Sequence, residues 1–461
     1  MNPTVHAIAA ALWSHADLPA GALDAIELIG EEPVLPSIFR VDAAAQAAIA
    51  VAGLAAAELH DVRTGRAQAV RVDMRHAAAE FRSEHHLRDT SAPPAPMWDP
   101  ISGTYRCADG RWVRLHTNFP HHRAGVLGLL GCAGEREAVT AALAGWEAEA
   151  FETAATAENL CVAMMRSFAE WDAHPHAADV ADVPLDIARI GDAPAQALPP
   201  HPARPLDGVR VLELTRVIAG PVAGRTLAAH GAEVLHITGP GVPNLPRLIL
   251  DTGRGKRAAE LDLRMAAGRA ALSGLARGAD VFLQSYRPGA LAAHGFGPER
   301  LAELRPGIVV ATLSAYGETG AWGGKRGFDS LVQTATGFNH AEAAAAASDL
   351  PKPLPCQALD HASGYLLAFG TIAALRRRAL EGGSWRVTVS LAATGRWLRG
   401  LGRLPDGLTA AGIGAAELGP LLETTGPITT VRHAALLSAT PAGWAHPAME
   451  LGSAAPRWQE R

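Results

Sequence analysis

One carboxylate and three basic groups are the residues whose type and spacing suggest chemistry. Asp360 lies in PCQALDHASGY, between a proline-bearing loop and a run with helical spacing from Gly364 to Arg378. An aspartate at a helix start can accept a backbone N–H as an N-cap, worth about 1 kcal/mol. It can instead stay open to a substrate as a nucleophile or base. The adjacent side chain, His361, diverges from it at a helix start and reads as a rim residue. Arg216 follows the apolar run Val209–Leu214, Arg287 follows the run at Val281, and Arg254, Lys256 and Arg257 precede Leu261-Asp262-Leu263. At the carboxyl ends of parallel strands these cations would converge on a crevice suited to phosphates; the other reading is a solvated charged face. His121 and His122 have no ligand partner at helical spacing, so no metal site is expected.

The elements that must position these groups are legible between Leu206 and Leu263. Val209–Leu214 has strand length, Ala219-Gly220-Pro221 turns, Val222, Leu227 and Ala228 recur at helical spacing up to Gly231, and Glu233–Ile237 is a second strand. A strand–helix–strand unit of this kind places helix amides beside a crevice where nucleotide phosphates bind. The pattern continues with a helix at 269–277 and strands at 280–284 and 308–313. This alternation predicts an α/β fold, a mostly parallel Rossmann-like sheet with helices on both faces.

The segment from Asp42, DAAAQAAIAVAGLAAAELHDVRTGRAQAVRVDM, repeats the order of the one from Asp360, DHASGYLLAFGTIAALRRRALEGGSWRVTVSL. A shift of 318 residues sets Asp42 on Asp360, Ile49 on Leu367, Leu54 on Ile372 and Gly65 on Gly383, and Val70-Arg71-Val72 meets Val387-Thr388-Val389 after one deletion. One supersecondary unit therefore occurs twice. Two Pro-rich joints, 91–100 and 199–205, divide the rest. They bound a helix–strand segment (1–90), a smaller α+β domain (91–200) that opens with a hairpin around Asp109-Gly110, a large domain (201–400), and a Gly/Pro-rich tail (401–461) that completes the large domain over its surface.

The 461 residues suffice for two or three cored domains, and 48% apolar with 19% charged residues is an ordinary globular composition. A formal charge of −5 gives no pull toward nucleic acid or an anionic membrane. Cys107, Cys132, Cys161 and Cys356 are too few and scattered for a disulfide framework and read as cytosolic thiols. No signal-peptide pattern is apparent, and the longest uncharged run, Ala43–Ala57, is shorter than a membrane span. A cytoplasmic protein is expected.

Taken together, LDGVRVLELTRVIAGP, GAEVLHI, GRGKRAAELDL, ADVFLQSYRPGALAAHGFGPERL, RPGIVVATLSAYGETGAWGGKRGFD and ALDHASG resemble the family III CoA-transferases, which include formyl-CoA, carnitine and bile-acid CoA-transferases and the α-methylacyl-CoA racemases. TYRCADGRWVRL and RSFAEWDAHPHA resemble the start and exit of that family's small domain, and LLSATPAGWAHPAMELG its last strand. The order is permuted: small-domain residues precede the nucleotide-type half, as if the tail of one copy were fused to the head of another.

The resemblance implies transfer of CoA between an acyl-CoA and a carboxylic acid, with Asp360 forming an acyl anhydride and then an aspartyl-CoA thioester. It implies CoA contacts at Arg216, Lys256, Arg257, Arg287 and Tyr316, no metal, and a homodimer, possibly interlocked, in which Asp360 faces the small domain of a partner chain. The chain departs from the family at Thr238-Gly239, where a charged residue often meets the nucleotide, at Ile218, and near Asp99–Gly103, where no glycine-rich loop is found. Two alternatives stand beside this reading. A racemase would need a proton carrier near Phe119 and a histidine where Gly327-Phe328-Asp329 stands; a non-catalytic CoA-binding subunit would suit the permuted order.

Overall fold

A computed structural model describes residues 3–93 and 96–460; Pro94 and Ala95 of the first Pro-rich joint lie outside the described residues. The large sheet contains seven strands: β1 (Leu185–Gly191), β2 (Arg210–Leu214), β3 (Glu233–Thr238), β4 (Lys256–Glu260), β5 (Val281–Gln284), β6 (Val309–Ser314) and β7 (Ser384–Ser390), in the spatial order β4-β3-β2-β5-β6-β7-β1. From β4 through β7 neighbouring strands are parallel, and β1 closes the β7 edge antiparallel. The central strands are mainly apolar because both faces are covered: β6, VVATLS, is buried along its whole length. Strand order reverses between β2 and β5, so their following loops diverge and leave a crevice beyond the carboxyl ends.

Four helices frame the crevice and the core behind it: α1 (Val41–Thr64), α2 (Ala219–Ala229), α3 (Pro246–Thr252) and α4 (Ala358–Glu381). The two halves of the repeat are α1 and α4, each 24 residues long, and they pack against one another in the main core. Against α2, α4 approaches closely at Gly364: a Cβ there would stand 2.6 Å from the Ala219 carbonyl and 2.7 Å from Val222 Cβ of α2. By length and composition α1 matches a membrane span, longer than the Ala43–Ala57 run suggests, yet 94% of its most apolar stretch is packed inside the protein.

Residues 101–164 enclose a core of their own, with Tyr105, Val113, Val139, Phe151 and Met164 among its members. The hairpin expected around Asp109-Gly110 is there, Gly103–Arg106 antiparallel to Trp112–Leu115. The C-terminal segment does more than cover the large domain. Ile428–Val431 pairs with Arg88–Asp89, and Leu436–Leu437 pairs with the strand Val70–Asp73, so the end of the chain extends two small sheets begun near its start. All four cysteines are free thiols.

Candidate active site

The loops that follow β2, β5 and β6 meet the amino-terminal ends of α2 and α4 around a cavity of ≈ 460 Å³. Asp360 reaches it from the first turn of α4, 6% exposed. Its carboxylate accepts no hydrogen bond from any described residue. The amides that a helix-start aspartate could have taken are claimed by a second carboxylate: Asp329 Oδ2 accepts Leu359 N–H at 2.7 Å and Asp360 N–H at 2.9 Å, and its Oδ1 takes the Gln333 amide. Asp360 is therefore not an N-cap.

Burial and the nearby Asp329 and Glu84 carboxylates push the Asp360 carboxyl well above the ordinary aspartate range. Asp329, wholly buried, is raised by burial to about 6, against the pull of its three hydrogen bonds. Of the two, Asp329 is the better-stabilised anion and Asp360 the proton holder, because donors surround one and none serves the other.

Arg216 and Arg287 line the same cavity, as the sequence suggests. The Arg216 guanidinium lies 4.7 Å from the Phe119 ring and donates to the Pro243 carbonyl; Arg287 Nη1 donates to Asn159 Oδ1 at 2.9 Å. Lys325 and Arg326, from the glycine-rich loop after β6, add two more cations. Lys325 Nζ pairs with Glu152 at 2.8 Å, and Arg326 Nη1 meets His122 Nε2 at 3.1 Å. Sequence reasoning passed over both, although the signal was present: two basic residues in GGKRGFD, four and three positions before the buried Asp329.

Three expected cofactor contacts fall elsewhere. Lys256 opens β4 rather than following it, so it sits at the amino-terminal end of its strand; its ammonium is buried against Glu213 Oε1 and the Pro221 carbonyl, each at 2.8 Å. Arg257, one residue on, pairs with Glu233 at 3.4 Å and holds the Arg457 carbonyl, away from the cavity. Tyr316 is buried behind the cavity wall, between Lys325 and Trp322. His361 is no rim residue either. It points back into the core, where its Nε2 lies 2.9 Å from Glu84 Oε2 and its ring stacks on Phe81.

The far wall of the cavity belongs to the small domain of the same chain: Phe119, His121, His122 and Cys161 all line it. His116 stacks on Phe328 at 3.9 Å and seals that seam. The expectation that Asp360 faces a partner's small domain is thus corrected. The permuted order places the small domain where the polypeptide can fold it over its own Asp360.

One residue of the wall is strained. Val217, just after β2, has φ +71°, a left-handed conformation that a β-branched side chain adopts only at a cost of about 1–3 kcal/mol.

The sequence model of CoA-transferase family III matches residues 19–200 and 206–404, two blocks separated at the second Pro-rich joint. The chain belongs to CoA-transferase family III. Within this family it is 36% identical over 195 residues to the probable fatty acyl-CoA transferase Rv3272 of Mycobacterium tuberculosis, covering 40% of this chain and 49% of that one. It is 33% identical over 149 residues to the human succinyl-CoA:glutarate CoA-transferase, covering 30% and 34%. A longer match, 28% identical over 424 residues, joins 80% of this chain to 73% of an acyl-CoA transferase of Gibberella moniliformis. A crystal structure of Rv3272 aligns with 43% of this chain and 58% of its own at 34% identity and a TM-score of 0.40. This family III chain spans about half the length, or less, of most of the curated relatives it matches.

Proposed function

We propose that this chain transfers CoA from an acyl-CoA thioester to a carboxylic acid, with Asp360 as the nucleophile. The observation that carries this reading is a carboxylate at the wall of a cation-lined cavity, without a hydrogen bond from the described residues, while the adjacent Asp329 takes the helix amides. An oxygen of ionised Asp360 attacks the thioester carbonyl carbon, the C–S bond breaks, and CoA leaves as thiolate. The thiolate then attacks the aspartyl carbonyl of the mixed anhydride, releasing the acyl group as a carboxylate and leaving an aspartyl-CoA thioester. The acceptor carboxylate repeats both steps in reverse, and Asp360 is regenerated. Poor solvation makes the ionised form of Asp360 reactive.

CoA fits the residues present. A crevice of ≈ 270 Å³ at the carboxyl ends of β2 to β5, lined by Leu263, Tyr286, Leu291 and Arg264 among others, suits an adenosine end; it adjoins the Asp360 cavity at Val242, Tyr286 and Ala290. Arg287, in the cavity wall next to the shared Tyr286, is placed for phosphates. Because the chain supplies both walls, turnover in this reading needs no second copy; activity found only at concentrations that form a dimer would count against that point. Racemisation is less well supported. His122, facing the cavity, has its proton affinity lowered to about 3 by burial and by the adjacent His121, Arg326 and Arg216, which suits it poorly to carrying a proton at neutral pH.

Mass spectrometry after incubation with a panel of acyl-CoAs tests the proposal. A covalent adduct on the peptide containing Asp360, trapped by hydroxylamine, is expected. No adduct and no CoA exchange with any acyl-CoA would defeat it.

A further inference from the structure

The Asp360 cavity has two branches, and a thioester has two arms. One branch is the crevice beyond Tyr286, at the carboxyl ends of the strands. The other is a slot that shares Phe119, Arg216, Val217 and Pro243 with the cavity and runs under α3, past Leu245, Leu248 and Ile249, to the tail residues Met449 and Leu451. We propose that this slot holds the acyl arm and selects short, uncharged aliphatic acyl groups, an inference that rests on the CoA-transfer reading.

The two arms of a thioester leave the reacting carbon in different directions, so CoA and the acyl group must occupy different branches. Phosphates and adenine belong with Arg264, Arg287 and Tyr286 in the first. The second carries Val217, Leu245, Leu248, Ile249, Met449 and Leu451 between its polar mouth and floor, a stretch of surface that aliphatic carbon covers favourably. Its free volume is ≈ 50 Å³, room for about four water-sized spheres. That volume takes a short aliphatic chain and is too little for a bulky ring.

The floor excludes a second class. The Lys256 ammonium there is neutralised by Glu213 at 2.8 Å, so the floor offers no net charge to the far carboxylate of a dicarboxylic acyl group, which would be desolvated without a partner. At the mouth stands Val217. Its left-handed backbone is held against its own preference where the two spaces meet, as strained residues at functional sites are.

The test is kcat/KM for acetyl-CoA, hexanoyl-CoA and adipoyl-CoA in the full chain, repeated with Leu248→Trp and with Leu451→Trp, which enter the slot from a helix and from the tail. Expected is a preference of about tenfold or more for hexanoyl-CoA over both others. In at least one Trp variant the hexanoyl-to-acetyl ratio should collapse to about one. Turnover of acetyl-CoA with no gain for hexanoyl-CoA would overturn this inference and leave CoA transfer standing, as would a ratio unchanged in both variants. Failure of every acyl-CoA to turn over would instead overturn the CoA-transfer reading, and this inference with it.

Discussion

The helices α1 and α4 are the same unit twice, and each begins with an aspartate that the protein uses differently. Asp42, 2% exposed, turns its carboxylate onto the chain before it: Oδ2 accepts Val34 N–H at 2.7 Å and Leu35 N–H at 3.1 Å. Asp360 has the amides beside it taken by Asp329 and faces a cavity. Both carboxyls are raised by burial, Asp42 to about 6, so burial alone does not separate structure from chemistry. Hydrogen bonding does. An aspartate whose lone pairs are spent on backbone amides holds a loop, whereas one without donors keeps them for a substrate.

The sharpest way to break the comparison is to remove each carboxylate in turn. Asp360→Asn should lower CoA-exchange turnover by about 10⁴-fold, while Asp42→Asn should leave it within the same order of magnitude. Comparable losses in both would end the distinction. In urea denaturation the ranking should reverse. Asp42→Ala strands two buried amides and should cost about 2 kcal/mol, whereas Asp360→Asn should stabilise the fold at pH 8.

The sign of that gain follows from linkage. A carboxyl whose folded pKa is raised contributes its full stability below its unfolded value, near pH 4, and loses it as pH rises through the folded value. The advantage of Asp360→Asn should therefore vanish near pH 4 and grow toward pH 8; a gain independent of pH would refute the assignment. Replacing Asp329 by Asn removes a like charge, so Asp360 ionises at lower pH and the acidic limb of kcat against pH should move to the acid side. The smallest effect concerns the cofactor. Arg287→Ala should weaken CoA binding by about 1–2 kcal/mol in calorimetry, and Arg257→Ala should leave it unchanged, since Arg257 is bound to Glu233 and the tail.

Much of the architecture was legible because it depends on short-range pattern. The apolar runs at 209–214 and 308–313, the periodicity after Asp360 and the Asp-Gly turn at 109–110 each fell within a residue or two of an observed element, save that α4 starts earlier, at Ala358. Asp360 was legible through its motif. The errors lay where a side chain's role depends on which end of a strand it occupies. In GRGKRAAELDL the strand begins at Lys256, because Ala258 and Ala259 supply its buried positions, and that puts both cations at the wrong end of β4 for the crevice. His361 misled for a related reason: divergence from Asp360 was foreseen, but not that Glu84, 277 residues away, would be waiting in the core. Lys325 and Arg326 went unrecognised because a glycine-rich loop carries no periodicity to orient them.

The pairing of α1 with α4 also sets a timetable for making the protein. The alanine-rich face of α1 is completed by a helix that begins about 300 residues later in the chain, and at ribosomal rates of about 5–20 residues per second that interval lasts roughly 15–60 s. Through that time a nascent helix with the length and apolarity of a membrane span has only its neighbours in sequence, Val5–His15 and Val70–Glu80, to pack against. The face left uncovered is a client for whatever binds hydrophobic segments at the ribosome exit until α4 has been made.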